Sequence, residues 1–274
     1  MFENKKVVHK YIVNCKTVDL APGLGDFLRG SLYLHQLSQK MGFELIIDFS
    51  SHPIGKWTLQ QQTQDLQQIQ DSDTRELFNE NMCMTEQYIQ QTAYPILICH
   101  NWPSRPLDSV TKEFLQKSIL FNKSFQAEYE DEIKRLKLPE QYCLIHVRTG
   151  DRNSLSIPEN MDQYIMNHII PKWNRNVVVM SDNYKIKEYV TNKYNFYMTD
   201  WHPVHLGGIR SFPIYDNGSH NINDDDIKHT LMEFLIISKC KSIYAWPGSG
   251  FAFICSLIYD IPYKDSLSDS VFKI

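Results

Sequence analysis

Apolar positions along the chain recur with two periods. Val7–Val13 is a β-branched, partly alternating run. The turn Pro22-Gly23-Leu24-Gly25 follows, and Asp26 then opens a helical pattern with Phe27, Leu34, Leu37 and Met41 on one side. Gly42 stops that pattern and Phe43–Phe49 is a second apolar strand, so the first fifty residues read as a βαβ unit. Pro95–Cys99 is a further short buried strand. Residues 107–137 are helical through Phe114, Leu115, Ile119, Ile133 and Leu136. The Gln-rich stretch 59–70 keeps Leu59, Leu66 and Ile69 near helical spacing, which predicts an exposed helix or surface loop.

Beyond Leu138-Pro139-Glu140 the rhythm repeats. Tyr142–Val147 predicts a strand, 160–170 a helix, Val177–Met180 a strand, and a helix starts at Tyr184. Asn195–Met198 is a strand, Asp226–Cys240 an amphipathic helix, Ile243–Trp246 a strand and Phe251–Tyr259 a last helix. Strands alternating with helices predict parallel sheets covered on both faces, an α/β fold. At 274 residues the chain is long for one core. It divides by this reading into lobes 1–138 and 139–274, the tail after Pro262 packing back on the first lobe.

Composition narrows the function classes. The formal net charge of −4 argues against a nucleic-acid binder, which would carry a basic excess. None of the six cysteines forms a C-x-x-C pair. Cys99, Cys143, Cys240 and Cys255 sit in apolar runs, where a buried reduced thiol is expected. The start, MFENKKVVHK, lacks an apolar signal core, and no run approaches the ~20 apolar residues of a membrane helix. A soluble, cytoplasmic protein is expected. On that ground the sequons at Asn122 and Asn217 are read as chance.

In parallel α/β sheets ligands bind at the carboxyl ends of strands. Four loops there carry unusual residues. In Pro22-Gly23-Leu24-Gly25-Asp26, two glycines permit close backbone approach and a helix start offers N–H groups to an anion. The alternative is a tight turn with Asp26 as N-cap. In His146-Val147-Arg148-Thr149-Gly150-Asp151-Arg152, polar residues break out of a buried strand, and the Arg148 fork is suited to phosphate oxygens. His146 can bond a base, ribose or phosphate. The plainer reading is an Arg148–Asp151 ion pair beside a core histidine. Asp182 follows a strand and can accept from ribose or a base, or cap the next helix. In Trp246-Pro247-Gly248-Ser249-Gly250-Phe251, Ser249 and the amides of Gly250 and Phe251 open a helix that would face a diphosphate, or is simply capped. Asp224-Asp225-Asp226 resembles an acidic metal triplet, but acids at a helix start are expected as caps. His202, His205 and His220 match no metal-ligand spacing.

Taken in order, these loops resemble the fucosyltransferases of the GT-B fold, across the α1,2-, α1,6- and protein O-fucosyltransferase branches. PGLGDFLRGSLYLHQLSQKMG is similar to the family's G-x-G-N-Q segment and helix, with Asp26 where Asn is usual. HVRTGDR is similar to its H-x-R-x-G-D motif, VVVMSDN to its second motif, and MEFLIISKCKSIYAWPGSGFAFICSLIY to its third, with Gly250 for the second serine. The resemblance implies two Rossmann-like lobes with the donor site in the cleft and an acceptor side in the first lobe. It further implies a GDP-fucose donor, a glycan or glycoprotein acceptor, inverting transfer, no cofactor and no required metal. Carried over by position, Arg148 binds the β-phosphate and supports departure of GDP. His146 contacts the nucleotide, Asp182 sits near ribose or base, and Ser249, Gly250 and Phe251 line the phosphate–sugar pocket. Gly23, Gly25 and Asp26 face it from the first lobe. Asp151 is the nominee for base, with Asp26 and Asp182 competing. The alternatives are another sugar nucleotide, a non-catalytic binding descendant of the fold, and a manganese GT-A enzyme using Asp224–Asp226.

Overall fold

The computed structural model describes residues 5–14, 21–59, 74–77, 82–93, 95–99, 101, 107–148, 160–209, 222–246 and 249–265. The chain divides into two compact units, Met1–Asn122 and Lys123–Ile274.

The first unit is a four-stranded parallel sheet ordered β2-β1-β4-β3. Its strands are β1 (Lys6–Lys10), β2 (Glu44–Asp48), β3 (Thr74–Leu77) and β4 (Ile96–Cys99). Helix α1 (Leu24–Met41) joins β1 to β2. It ends where Gly42 takes a left-handed φ of 80° and its N–H reaches the Ser38 carbonyl. A Cβ on Gly42 would meet nothing within 4 Å, so the dihedral rather than space selects glycine there. Tyr33, Leu34 and Leu37 of α1 pack on Val7, Leu45 and Leu97 of the sheet with Ile89 of α2 (Met82–Gln91). The helix predicted over 107–137 is two helices, α3 (Ser109–Ser118) and α4 (Lys123–Leu136). The break has a cause: Leu59 N–H donates to the Leu120 carbonyl at 2.7 Å and Asn122 N–H to the Trp57 carbonyl at 2.9 Å, which pulls 120–122 out of helical geometry.

The second unit carries a five-stranded parallel sheet ordered β7-β6-β5-β8-β9. It comprises β5 (Cys143–Val147), β6 (Val177–Ser181), β7 (Tyr197–Met198), β8 (Ile243–Trp246) and β9 (Tyr263–Asp265). Every residue of β5, β6 and β8 is buried, as expected when helices cover both faces. On one face Cys143, Ile145 and Val147 pack against Met161 of α5 (Met161–Tyr164) and Ile165 and Ile169 of a π turn (Ile165–Ile169). The wide turn leads into Pro171 of α6 (Ile170–Trp173), a residue that cannot donate to an ordinary helical ladder. Helices α7 (Tyr184–Tyr194), α8 (Asp224–Lys239) and α9 (Gly250–Tyr259) complete the unit. Tyr142 Oη donates to the Ile236 carbonyl at 2.6 Å, and the Cys255 thiol lies against the Phe234 carbonyl.

Two expectations change. Helix α4, read as part of the first lobe, belongs with the second: Glu128 pairs with Lys228 at 2.6 Å and Arg135 with Asp200 at 2.7 Å. Of the tail expected to pack back on the first lobe, only the start is described. Tyr263–Asp265 instead extends the second sheet, parallel to β8. Residues 266–274 lie outside the described residues, as does the Gln-rich stretch beyond Leu59. Cys99, Cys143, Cys240 and Cys255 are buried and form no disulfide among the described residues. No described helix is long and apolar enough to cross a membrane.

Candidate functional site

In the second sheet the chain runs outward from β5 to β6 and β7, then returns to β8 and β9 on the opposite side of β5. The strand order therefore reverses between β5 and β8. The carboxyl ends of two such strands, with their connections leaving to opposite faces, open a crevice for a ligand. Arg148 is the first residue beyond β5 and is half-buried. Its N–H donates to the carbonyl of Trp246, the last residue of β8, at 2.6 Å. The backbone carrying the guanidinium is thus tied across the reversal point.

His146 lies two residues before Arg148, on the same side of the strand, with Met180 and Ala245 as its neighbours in register. Burial, and then the positive charge of Arg148, push its pKa down to about 3, so the ring is neutral. Its Nδ1 is buried and has no hydrogen-bond partner among the described residues. Buried polar atoms are rarely left so, which makes this nitrogen one for which a partner must be sought.

Ser249 is the N-cap of α9, its Oγ accepting from Ala252 N–H at 3.3 Å. Its own N–H donates to Tyr263 Oη at 3.0 Å. Burial pushes the Tyr263 phenol up to about 12, with Arg148 opposing, which puts β9 within electrostatic reach of that cation. Gly250 and Phe251 supply the first two amides of the helix, positions that have no partner inside a helix. The Phe251 ring packs edge-on against Phe234 of α8, with centroids 5.5 Å apart. At this turn the groups that can donate to an anion are the first backbone amides of the helix and the Ser249 hydroxyl, which keeps its proton while its oxygen accepts from Ala252 N–H.

Asp182 follows β6 and is half-buried. The capping task falls to its neighbour: Asn183 Oδ1 accepts from Lys185 N–H at 3.0 Å and from Ile186 N–H at 3.4 Å. Asp151 lies outside the described residues, as do Pro247, Gly248 and His220.

In the first sheet β1 and β4 are the two central strands. The helix that follows β1 begins earlier than expected. Gly23 is the N-cap of α1, without a side-chain cap, and Gly25 and Asp26 are its second and third residues. Asp26 is thus not the cap. It pairs with Arg29 one turn on, at 3.2 Å. Near this turn His9 is fully buried and stacks on Phe27 at 4.1 Å. His9 Nδ1 and Ser31 Oγ hydrogen-bond at 2.9 Å, and Nε2 meets the Cys99 backbone, its carbonyl at 3.1 Å and its N–H at 3.2 Å. Burial lowers its pKa to about 3.

The acidic triplet behaves as a helix start. Asn223 and Asp226 exchange hydrogen bonds in a capping box, and Asp225 pairs with Lys228 at 2.8 Å. Sequence reasoning passed over Lys187. This residue is completely buried, and its ammonium donates to Thr199 Oγ1, the Trp201 carbonyl and Glu233 Oε1 at 2.6, 3.0 and 3.2 Å. The signal was present: Lys187 occupies the apolar face that Ile186 and Val190 define in α7.

No protein-family model matches the chain, and no curated protein matches its sequence. Solved structures do match in shape. The fucosyltransferase NodZ from Bradyrhizobium aligns with a TM-score of 0.60 at 12% identity, over 97% of this chain and 96% of that one. The α-1,6-fucosyltransferase NodZ soaked with GDP-fucose aligns with a TM-score of 0.57 at 11% identity, over 95% and 94%. A point mutant of Arabidopsis thaliana FUT1 in complex with GDP gives 0.55 at 10% identity, over 95% of this chain and 70% of that one. The chain has the two-unit α/β fold of the GT-B fucosyltransferases.

Proposed function

We propose that this protein is a glycosyltransferase that moves fucose from GDP-fucose to a hydroxyl of a glycan or protein, with inversion and without a metal ion. The observation that carries the reading is the placement of Arg148. A half-buried arginine stands at the strand-order reversal of the second unit, its backbone tied to Trp246, within a fold whose solved examples include NodZ co-crystallised with GDP and NodZ soaked with GDP-fucose.

The chemistry follows from charge. Cleaving the bond between the sugar's anomeric carbon and the β-phosphate oxygen leaves the electron pair on the departing diphosphate. Arg148 offers a planar fork of donors, and the first amides of α9 offer two more. Both meet more negative charge in the transition state than in the ground state, which is the condition for accelerating the step. The anomeric carbon develops oxocarbenium character and is attacked from the opposite face by the acceptor oxygen. The proton of that hydroxyl passes to a carboxylate. Asp151 stands nearest to Arg148 along the chain, with Asp182 and Asp26 as the competing groups. Neutral His146 offers a buried ring nitrogen for a hydrogen bond to the nucleotide.

A panel of sugar nucleotides tests this reading, scored for binding and slow hydrolysis with and without EDTA, on the wild type and on Arg148→Ala. GDP-fucose turnover that resists EDTA and disappears in the variant is expected. Preference for a UDP-sugar would overturn the fucose assignment. Binding without turnover would identify a non-catalytic descendant of the fold.

A further inference from the structure

We propose that Lys187 is a positioning residue that presents the stacked rings of Tyr184 and His202 as a preformed wall for the nucleotide base. The proposal rests on the donor reading above and deepens it. β6 and β7 are in register at Val178–Tyr197 and Val179–Met198. Residues 199–202 follow β7 directly, as Asp182 and Tyr184 follow the carboxyl end of β6. His202 then stacks on Tyr184, two residues beyond Asp182, with centroids 5.0 Å apart and planes 27° apart.

This segment is held from several directions. Arg135 grips both carboxylate oxygens of Asp200 at 2.7 Å. The Trp201 ring lies flat on His229 of α8, 4.6 Å between centroids. Lys187 supplies the central tie: its ammonium reaches Thr199 and the Trp201 carbonyl, and stands 5.7 Å from the Tyr184 ring centroid. Tyr184 is thus in contact with both the Lys187 cation and the His202 ring. Thr199 Oγ1 donates onward to Glu233 Oε1 at 2.6 Å.

A buried lysine is an expensive way to fill space. Its desolvation offsets most of what the ion pair to Glu233 contributes, and an apolar side chain would pack at lower cost. All three ammonium protons are spent, two on acceptors in the 199–201 loop and the third on Glu233 of α8. Such an arrangement selects a geometry, and the geometry here is that of two half-buried aromatic rings stacked on the segments that follow β6 and β7.

Two measurements test it. In the wild type, GDP should slow amide hydrogen exchange across 199–205, and unchanged exchange there with GDP bound would overturn the proposal. In the second, affinities for GDP, UDP and ADP are compared among wild type, His202→Ala, Lys187→Met and the Lys187→Met/Glu233→Leu double variant. The double variant replaces both charges together and avoids stranding Glu233. The preference for GDP should fall about tenfold in His202→Ala and in the double variant. An unaltered preference in folded variants would overturn the role of Lys187 and leave the donor reading standing. A wild type that binds none of the three nucleotides would overturn both.

Discussion

The N–H of Arg148 and the carbonyl of Trp246 meet at 2.6 Å, joining the first residue after β5 to the last residue of β8 where the strand order reverses. The guanidinium is thus carried on a backbone fixed by two buried strands. If Arg148 binds a leaving diphosphate as proposed, a backbone fixed in advance lowers the reorganisation needed when charge develops.

Arg148→Lys keeps the charge and the backbone tie but loses the planar fork. Donor turnover should drop by roughly 10²-fold in kcat/KM, with thermal stability close to wild type. Steady-state donor hydrolysis beside a melting curve checks both halves. Retention of full activity would show that charge alone suffices.

Asp182 and Asn183 are neighbours with opposite expectations. Asn183 is fully buried and caps α7, so Asn183→Ala should cost about 1 kcal/mol of stability. Asp182→Asn leaves that cap in place and should instead weaken GDP binding by about tenfold, the scale of one charge-assisted hydrogen bond. Calorimetric titration with GDP and a denaturant curve on each variant separate the two roles.

How far the sequence anticipates this molecule depends on the element. β5 and β6 are legible because each is apolar at positions buried on both faces, a pattern a surface strand does not show. Arg148 is legible for the same reason, as the point where that pattern breaks. β9 is not: Tyr263–Asp265 is three residues with only Tyr263 buried, too short to show a period. The start of α1 misleads because Gly23 caps it without a side chain, so the first capping residue in view is Asp26. The buried Lys187 is hidden by its own chemistry, since a lysine is ordinarily read as solvated even at an apolar position of a helix. Phe251 shows a last limit. Its sequence position places the backbone at the helix start, but only the packing partner Phe234 reveals where the ring goes.

His9 and His146 make acid stability predictable. Both have pKa values near 3 in the fold, against an ordinary value of 6.5. Below pH 6.5 the unfolded chain binds protons that the folded chain does not. The stability these residues provide is therefore complete above 6.5 and is lost as pH falls from there toward 3. By pH 5 the loss should be on the order of 2 kcal/mol for each histidine. Urea denaturation at pH 7.5 and pH 5.0 measures it. A His9→Gln variant should be less stable at pH 7.5 and show a shallower loss on acidification, and an unchanged slope would mean that His9 is not the titrating group. Over the same window His146 stays neutral in the fold, so it should contribute no pH dependence to donor binding.

Ser249 separates a hydroxyl ligand from a helix-end ligand. Its Oγ is engaged with Ala252 N–H, and the amides of Gly250 and Phe251 come before that bond in the helix. If those amides bind the diphosphate, Ser249→Ala removes the cap, costs about 1 kcal/mol of stability and leaves donor affinity within about threefold of wild type. Ser249→Asp keeps a capping oxygen and adds a negative charge beside the anion site. Aspartate favours a helix start, so stability should hold while GDP affinity falls by about tenfold or more. A loss of GDP affinity in Ser249→Ala beside the lost cap would assign the contact to the hydroxyl, which can donate its proton while its oxygen caps the helix. Melting curves and GDP titrations on the two variants distinguish these outcomes, because cap and ligand roles move the two readouts in different combinations.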